Sequence, residues 1–264
     1  MTLVVAHRGS SGKHAEHTLR AYEKAIAEGA DALECDVRLT RDGVLVCVHD
    51  RTVDRTSDGR GVVSTLELAD LRELDFASWK ERAHDALLEA SWEEADHEGT
   101  RVLTLERLLE LVRDQDRPVQ LHIETKHPTR YGGLVERALV DLLDRFGLAR
   151  PLSRSVSQVT VMSFASVSLR RVHLLAPMLP LVLLMHRVPV RYRDGSLPEY
   201  CEIAGPSLRV LKTHPHYVEH VHEQGNRLHV WTVDSVADVR YVLDLGVDAV
   251  ISNHPRRVLA ALSR

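Results

Sequence analysis

Cysteine is scarce in this 264-residue chain, which contains only Cys35, Cys47 and Cys201, none of them in a CxxC spacing. Three widely separated thiols are too few for a disulfide framework, and they do not have the spacing of a zinc site. Cys35 and Cys47 lie within strand patterns, where a free thiol usually packs as a small apolar residue. We therefore expect reduced cysteines in a reducing compartment.

Signals for membranes and nucleic acids are also missing. The chain begins without a basic region followed by a long apolar stretch, so no signal peptide is visible. Its most apolar run, residues 174–185, is short and contains prolines, which makes it unsuitable as a transmembrane helix. The 34 Lys and Arg residues nearly balance the 38 Asp and Glu residues, and no basic run is interleaved with aromatic residues. We expect a cytoplasmic protein with no membrane insertion and no nucleic-acid partner.

Apolar segments of strand length alternate with amphipathic segments of helix length along most of the chain. The predicted strands are residues 3–6, 32–37, 119–124, 159–163, 179–184, 208–212, 228–231 and 249–251. The predicted helices are residues 17–28, 105–112, 133–146, 167–175, 215–224, 236–245 and 255–262. Repeated strand–helix units in a chain of this length favour an α/β fold, the closed (β/α)8 TIM barrel. An open doubly wound sheet is the alternative, but no glycine-rich dinucleotide-binding loop supports it.

A hairpin strand and an inserted segment interrupt this alternation near the N-terminus. Residues 44–48 form a further predicted strand after a tight turn at Asp42 and Gly43, and the short connection makes it antiparallel to the strand before it. Residues 50–104 are polar and irregular, with a helical piece at residues 65–74. We interpret them as an insertion that caps the site, with an ordinary long surface excursion as the alternative. Residues 1–264 then form a single TIM-barrel domain that includes this small insertion.

Three acidic residues are predicted to share the mouth of the barrel. Glu34 and Asp36 are two residues apart on one strand, so both carboxylates point to the same side. Glu124 ends the next parallel strand, and the C-terminal strand ends of a barrel face its active site. By themselves, Glu34 and Asp36 could be solvated acids at a strand end. Three converging carboxylates instead indicate a site for one hard divalent cation, Mg²⁺ or Ca²⁺.

Two histidines stand at the ends of strands in the same region. His7 ends the first strand, and His49 ends the hairpin strand. Either one alone would more often be a structural histidine. Their position beside the acids favours proton transfer, a role that suits the unperturbed pKa of an imidazole. We predict that His7 and His49 are the acid-base pair.

Cationic and aromatic residues complete the predicted site. Arg8 and Lys126 provide positive charge for a phosphate group, Trp231 offers a flat apolar wall, and Phe164 ends another strand. We predict all four as substrate contacts. A metal, two histidines and two cations in one mouth indicate displacement at the phosphorus of a phosphate ester. Lys212, at the end of the predicted strand 208–212, either lines the mouth or is solvated.

A group of histidines in the C-terminal third allows a different interpretation, namely His214, His216, His220 and His222. His216 and His220 have the helical spacing of a zinc site. Because no acid or cysteine completes a ligand set, we favour histidines on a helix surface.

Several short motifs occur in a fixed order along the chain. They are His7-Arg8-Gly9, Glu16-His17-Thr18, residues 29–43, His49-Asp50, Arg55-Thr56, and residues 121–126, 163–164, 230–233 and 246–255. Together they resemble the glycerophosphodiester phosphodiesterase family, most densely over residues 5–74. The chain departs from the family at His17, which replaces the Asn of the usual Pro-Glu-Asn-Thr, and at Asp234, where the family often has Asn.

This resemblance implies a metal-dependent hydrolase that releases glycerol 3-phosphate and an alcohol from deacylated phospholipids. It implies metal ligation by Glu34, Asp36 and Glu124, acid-base catalysis by His7 and His49, and phosphate contacts from Arg8 and Lys126. Two other classes compete with this interpretation. One is a related phospholipase D-like lyase that acts on a choline or ethanolamine phospholipid, and the other is a non-catalytic barrel that binds a phosphate ligand. The sequence does not indicate an oligomeric state. The cytoplasmic signature and the presence of all three acids favour a hydrolase acting on a small-molecule glycerophosphodiester.

Overall fold

Eight parallel strands form a closed barrel in the structure, a computed structural model that describes residues 2–80, 100–129 and 132–263. The strands of this described part, in chain order, are β1 Leu3–His7, β2 Ala32–Leu39, β3 Leu45–Cys47, β4 Gln120–Thr125, β5 Val159–Ser163, β6 Leu181–Met185, β7 Ile203–Pro206, β8 Arg227–Val230 and β9 Ala249–Ser252. β1 pairs with both β2 and β9, which closes the sheet. The predicted TIM barrel is confirmed.

The strand β3 is an antiparallel partner of β2, with Arg38 opposite Val46. Gly43 allows the turn between them, because its φ of 84° is accessible to glycine without strain. Beyond β3, the Val48 N–H donates to the Asp36 carbonyl at 3.0 Å, which continues the pairing up to His49. The hairpin therefore brings His49 to the end of β2 at which the acids lie.

Helices surround the barrel. Within the described residues they are α1 Leu19–Ala27, α2 Leu68–Arg72, α3 Leu105–Arg113, α4 Leu134–Arg145, α5 Ser166–Leu175, α6 Leu208–Thr213, α7 Tyr217–Glu223, α8 Val236–Asp244 and α9 Pro255–Ala261. The local sequence sets the limits of α1, because Thr18 Oγ1 accepts from the Ala21 N–H at 3.2 Å and Gly29, at a φ of 94°, follows its end. None of the helices in the described part is both long and apolar enough to cross a membrane.

Strand alternation divides the apolar side chains between two layers. Along β1, Val4 and Ala6 pack outward in the large cluster shared with the helices, whereas Val5 points into the barrel. The interior cluster contains Val5, Ala32, Met162, Val182, Leu184, Ile203, Ala249 and Ile251. All three cysteines are buried and free, so they behave as small apolar residues.

The prediction of a strand at residues 208–212 is wrong. These residues begin α6, and the sixth strand of the barrel is β7, which has the sequence IAGP. Glycine and proline obscure a strand pattern, yet Gly205 is required here because an added Cβ would lie 2.8 Å from Leu184 Cδ2. The alternation in LRVLK imitates a strand, but the buried residues are the adjacent pair Val210 and Leu211, as on one side of a helix.

Lys212 consequently does not line the barrel mouth. It is exposed on α6, and its Nζ lies 2.6 Å from Asp238 Oδ1 on α8. Of the two alternatives for this residue, the solvated one is correct.

The predicted insertion is described in part, since residues 81–99 lie outside the described residues. Its described portion has an apolar cluster of its own with the end of the hairpin, formed by Val46, Val48, Val53, Val63, Leu71, Phe76 and Val102. The helical piece predicted at residues 65–74 corresponds to α2, which begins with a capping box between Glu67 and Asp70. The division into one domain with an insertion at residues 50–104 stays a prediction.

Candidate active site

The C-terminal strand ends surround an open cavity of about 870 Å³. Its lining includes His7, Arg8, Glu34, His49, Glu124, Lys126, Phe164 and Trp231. The remaining predicted site residue, Asp36, is fully buried beside Glu34 and Glu124. The structure therefore brings all of the predicted site residues together in one region.

Glu34, Asp36 and Glu124 form a buried carboxylate cluster, in which one oxygen atom of each lies within 4.8 Å of the others. The barrel register explains this convergence. Asp36 on β2 is paired with Glu124 on β4, and Glu34 precedes Asp36 by two residues on the same inward face. Donor sets made only of carboxylate oxygens suit hard divalent cations, so these side chains could hold a metal ion.

The pKa values of the three carboxyl groups show that burial disfavours their ionisation together. Burial, together with the field of Asp36, raises the pKa of Glu34 well above its ordinary value and the pKa of Glu124 to about 8. Burial acts on Asp36 in the same direction, but Arg8, a hydrogen bond from His17, and Lys126 hold its pKa well below the usual range. Three ionised carboxylates this close repel one another, and a divalent cation would remove that repulsion.

The two cations predicted to contact phosphate lie against these acids. Arg8 Nε is 3.0 Å from Asp36 Oδ2, while Lys126 Nζ is 2.8 Å from Glu124 Oε1 and 3.2 Å from Asp36 Oδ1. Both side chains also line the open cavity. They therefore offset carboxylate charge and present positive charge to an entering anion.

Further ion pairs connect Arg8 to the described part of the insertion. Glu16 Oε1 is 3.0 Å from Arg8 Nη1 and 2.7 Å from Arg55 Nη2, and Arg55 Nε is 2.6 Å from Asp50 Oδ2. The Arg8 N–H donates to Glu34 Oε2 at 3.0 Å, which holds that carboxylate in place. Arg55 contacts neighbouring acids and is not part of the cavity lining.

The side-chain amide of Asn253 fixes the orientation of the His7 ring. His7 Nδ1 is 2.7 Å from Asn253 Oδ1, and Asn253 Nδ2 donates to Asp234 Oδ2 at 2.7 Å. Because an amide oxygen only accepts, His7 Nδ1 carries a proton and Nε2 of the neutral ring has a free lone pair. Burial, with the charge of Arg8, lowers the pKa of His7 to about 4. Nε2 lies 4.0 Å from Glu34 Oε2.

His49 stands beside the same cavity with a carboxylate behind it. Its Nδ1 is 2.6 Å from Asp50 Oδ1, and its backbone carbonyl accepts from Arg38 Nη2 at 2.8 Å. Burial lowers the pKa of His49, although Asp36 acts in the opposite direction. The contact with Asp50 leaves Nε2 as the ring nitrogen available to a ligand.

His17 contacts the carboxylate cluster, a role that was not predicted for it. Its Nε2 is 2.9 Å from Asp36 Oδ2, and its Nδ1 is 2.8 Å from the Tyr22 hydroxyl. That hydroxyl donates to the Glu34 carbonyl at 3.1 Å. The available signal was its place in Glu16-His17-Thr18, where the chain departs from the family pattern.

Phe164 and Trp231 form an aromatic wall together with a third ring, His186. No role was predicted for His186 from the sequence. The Phe164 and Trp231 centroids are 5.3 Å apart in an edge-to-face arrangement, and His186 stacks on Phe164 at 4.5 Å. Trp231 Nε1 donates to the Gly205 carbonyl at 2.7 Å, so its position depends on β7. His186 belongs to the loop after β6, where the pattern of apolar residues ends.

Among the described residues, the histidines of the C-terminal third do not form a metal-ligating group. His216 Nδ1 is 3.3 Å from Glu219 Oε2, and His220 Nδ1 lies 3.1 Å from the Arg193 carbonyl. Within the described ranges, neither belongs to a group of three side chains with metal-ligating geometry. The zinc interpretation of this segment therefore has no support.

A TIM barrel with an acidic, cation-compatible centre and two histidines at its mouth has the layout of a barrel hydrolase, with its chemistry at the C-terminal strand ends. Residues 7–257 match the family model described as the glycerophosphoryl diester phosphodiesterase family. The chain belongs to this family, and its activity is the hydrolysis of glycerophosphodiesters.

Curated relatives extend over nearly the whole chain. A probable glycerophosphodiester phosphodiesterase 1 of Mycobacterium tuberculosis is 46% identical, over 98% of this chain and 92% of its own length. A glycerophosphodiester phosphodiesterase of Bacillus subtilis is 36% identical, over 96% of this chain and 84% of its own. The resemblance noted in the sequence is confirmed.

Solved structures agree on the fold. A phosphodiesterase from Oleispira antarctica, solved with the product sn-glycerol-3-phosphate, superposes with a TM-score of 0.84 at 24% identity, covering 100% of this chain and 98% of its own. A putative glycerophosphoryl diester phosphodiesterase from Silicibacter pomeroyi gives a TM-score of 0.80 at 23% identity, over 100% and 93% of the two chains.

Proposed function

We propose that the enzyme cleaves glycerophosphodiesters to glycerol 3-phosphate and an alcohol, with one divalent cation held by Glu34, Asp36 and Glu124. The observation that carries this proposal is the convergence of these three buried carboxylates at the mouth of the barrel. The product in the structure of the Oleispira antarctica relative supports glycerol 3-phosphate as the phosphorylated product.

The residues present fit a hard cation such as Mg²⁺ or Ca²⁺. The donors are carboxylate oxygens, and Asp36 Oδ1 is buried without a well-directed hydrogen bond, despite its proximity to Lys126. When bound, such a cation supplies charge neutralisation and Lewis-acid polarisation of a phosphate oxygen. Arg8 and Lys126 add positive charge to the cavity lining, and Trp231 and Phe164 add apolar surface to it.

In our proposal, His7 accepts a proton and His49 donates one. His7 faces the cavity with an unprotonated Nε2, because Asn253 holds the proton on Nδ1. This tautomer suits removal of a proton from the attacking hydroxyl group. His49 has Asp50 behind its Nδ1, and that carboxylate stabilises the charged ring from which a proton passes to the leaving oxygen.

Cation removal tests the role of the carboxylates. We expect the enzyme to release glycerol 3-phosphate from glycerophosphocholine and glycerophosphoethanolamine. This release should stop when EDTA is added and should resume when Mg²⁺ or Ca²⁺ is restored. Glu124→Gln should lower turnover by about a hundredfold or more, since the loss of even an outer-shell partner of a metal ligand costs about 10–100-fold, and should weaken cation binding in calorimetry. Full activity in EDTA would contradict the cation, and absence of glycerol 3-phosphate in every arm would contradict the reaction. A cyclic phosphate as the end product would indicate the lyase.

The nature of the leaving group distinguishes the two histidines. A p-nitrophenol leaving group needs no proton, so His49→Ala should lose activity on glycerophosphocholine yet keep most of it on the p-nitrophenyl ester of glycerol 3-phosphate. His7→Ala should lose about a hundredfold or more on both substrates, because each requires proton removal from the nucleophile. The reverse pattern would exchange the two roles.

A further inference from the structure

A second cavity of about 620 Å³ adjoins the active site and is strongly basic. Three arginines and four histidines line it, namely Arg187, Arg193, Arg209, His186, His214, His216 and His220. The other lining residues are apolar or hydroxyl-bearing, so no carboxylate contributes to the surface. Guanidinium groups stay charged at every accessible pH, so this lining is positively charged whatever the histidines do.

The basic cavity shares one lining residue with the active site, His186. The His186 ring stacks on Phe164, with centroids 4.5 Å apart, and meets Trp231 edge-on at 5.1 Å. The aromatic wall of the active site is thus also one border of the basic cavity. A ligand that lies along this wall extends from the catalytic mouth toward the arginines.

The three arginines are not neutralised by protein acids. Within the described part of the chain, no ion pair involves the guanidinium groups of Arg187, Arg193 or Arg209, and all three side chains are exposed. Two acids of this region lie near the cavity but outside its lining. Asp194 accepts from Ser196 Oγ at 2.7 Å, and Glu219 pairs with His216 at 3.3 Å. Positive charges gathered in a concave surface attract a negatively charged ligand.

A buried hydroxyl adds an independent indication of a ligand. Tyr217 lines the basic cavity and is 3% exposed, and its hydroxyl has no hydrogen-bond partner among the described residues. Buried hydroxyl groups are nearly always hydrogen-bonded, because leaving one unpaired costs free energy. An anionic oxygen in the cavity would accept from this donor.

We propose that the basic cavity binds an anionic group, best a phosphate monoester, carried by the alcohol half of the substrate. This inference rests on the proposed function, since it assumes that the scissile phosphate occupies the neighbouring mouth. The planar guanidinium of arginine matches the oxygens of phosphate with paired, charge-assisted hydrogen bonds. The preferred substrates are then glycerophosphodiesters whose alcohol carries a negative charge of its own, ahead of those with choline or ethanolamine.

A matched pair of substrates isolates this charge, namely glycerophosphoglycerol and glycerophosphoglycerol bearing a terminal phosphate monoester. The wild-type enzyme should show the lower KM for the phosphorylated diester. The double variant Arg187→Gln/Arg209→Gln should raise that KM about tenfold, the size expected when hydrogen bonds to a charged group are lost. Its kinetics on glycerophosphoglycerol should not change. Added salt should reduce the wild-type preference.

Two further variants keep the test independent of folding. Arg191 is an exposed arginine near Arg187 and Arg193 in sequence, but it lies outside the cavity lining. Arg191→Gln therefore removes one positive charge without altering the cavity, and it should leave the KM of both substrates unchanged. Tyr217→Phe removes only the unpaired hydroxyl, so it should raise the KM of the phosphorylated diester with no loss of thermal stability.

The outcomes separate this inference from the proposed function. Equal effects of the double variant on both substrates, or none on either, would overturn the inference while leaving the hydrolase intact. If the wild-type enzyme cleaved neither diester nor glycerophosphocholine, the proposed function would fail first, and the inference with it. Calorimetry with inorganic phosphate tests whether the cavity binds a free anion rather than a phosphate group of the substrate. Arginine-dependent binding of free phosphate without any substrate preference would assign the cavity to a separate anion and overturn the inference.

Discussion

Asp36 is the residue on which the other side chains of the candidate site converge. Arg8, His17 and Lys126 all place nitrogen atoms within about 3 Å of its oxygens. The neighbouring carboxylates Glu34 and Glu124 have raised pKa values, because they are buried beside it. Asp36 is therefore the carboxylate that this surrounding keeps ionised.

His17 is expected to act through Asp36. Replacing it by alanine removes the donor at Asp36 Oδ2 and leaves the Tyr22 hydroxyl with one partner fewer, both inside the protein. A lost hydrogen bond to a charged group of this kind costs roughly 1.5–3 kcal/mol. We expect His17→Ala to lower cation affinity and kcat/KM by about tenfold or more, measured by calorimetry and by steady-state kinetics.

His17→Asn serves as the matched variant, since the related family usually has Asn at this position. An asparagine amide can still donate to Asp36, so cation affinity and turnover should stay close to wild type. Equal losses in the alanine and asparagine variants would show that imidazole itself is needed. Wild-type behaviour of His17→Ala would contradict the positioning role.

At the level of elements, strong apolar alternation made seven of the eight barrel strands predictable, together with the β2–β3 hairpin. The strand β7 was not predictable because its four residues include Gly205 and Pro206, which are rare in strands and common in turns. Its sequence reflects packing against β6, and that contact joins residues distant in the chain. A pattern read within a short window does not contain this information.

Some residues of the candidate site were likewise predictable from the sequence, and others were not. Residues on strand ends, such as Glu34, Asp36 and Glu124, were predictable because strand periodicity and barrel topology together determine where they point. His17 and His186 lie on loops. His17 has a positive φ of 61°, and His186 follows the end of β6. Loop geometry depends on tertiary contacts, so neither residue could be placed from its local sequence.

Gly205 connects the packing of β7 to the aromatic wall. An added Cβ would approach Leu184 Cδ2 and Val182 Cγ1 to 2.8 Å, both inside the barrel. Gly205→Ala should therefore destabilise the fold by about 1–3 kcal/mol, the usual cost of overpacking a core. Because the Gly205 carbonyl accepts from Trp231, the variant should also raise KM. Denaturant unfolding and steady-state kinetics measure the two effects.

Gly132→Ala provides the control for an added methyl group, since among the described residues its Cβ would meet Arg171 Nη2 alone, at an ordinary contact distance of 3.6 Å. It should be neutral in both measurements. A Gly205→Ala enzyme as stable as wild type would mean that β6 and β7 can separate to accept the side chain.

At the scale of the whole molecule, the barrel interior contains an unusual pair of imidazoles. His122 on β4 and His229 on β8 stack with their centroids 5.3 Å apart and their planes at 7°. Their ring nitrogens are buried and have no hydrogen-bond partner among the described residues. Burial, with the charge of Arg227, lowers the pKa of His122 to about 4. Burial and the proximity of His122 place the pKa of His229 well below its ordinary value of 6.5.

These two histidines should make the folded barrel sensitive to mild acid. In the unfolded chain they bind protons as the pH falls below 6.5, whereas in the barrel they stay neutral until the pH is far lower. The stability that they contribute is therefore complete above pH 6.5 and is lost as the pH falls toward about 4. A shift of this size in one buried group corresponds to roughly 3 kcal/mol. Denaturant unfolding at several pH values between about 7 and 5 would measure the loss.

His229→Phe tests whether this pair is the source of the loss. Phenylalanine keeps an aromatic ring to stack on His122 but binds no proton, so the free energy of unfolding should depend less steeply on pH over this range. The exposed His216 provides the control, because His216→Gln removes one histidine from the surface and leaves the stacked pair in the barrel intact. Carboxylates with lowered pKa values, such as Glu136 at about 2, lose their contribution at lower pH, whereas the shifted pKa values of Glu124 and His7 act in this range but are common to both proteins, so the comparison with wild type isolates His229. An unchanged slope in His229→Phe would place the acid sensitivity outside the barrel interior.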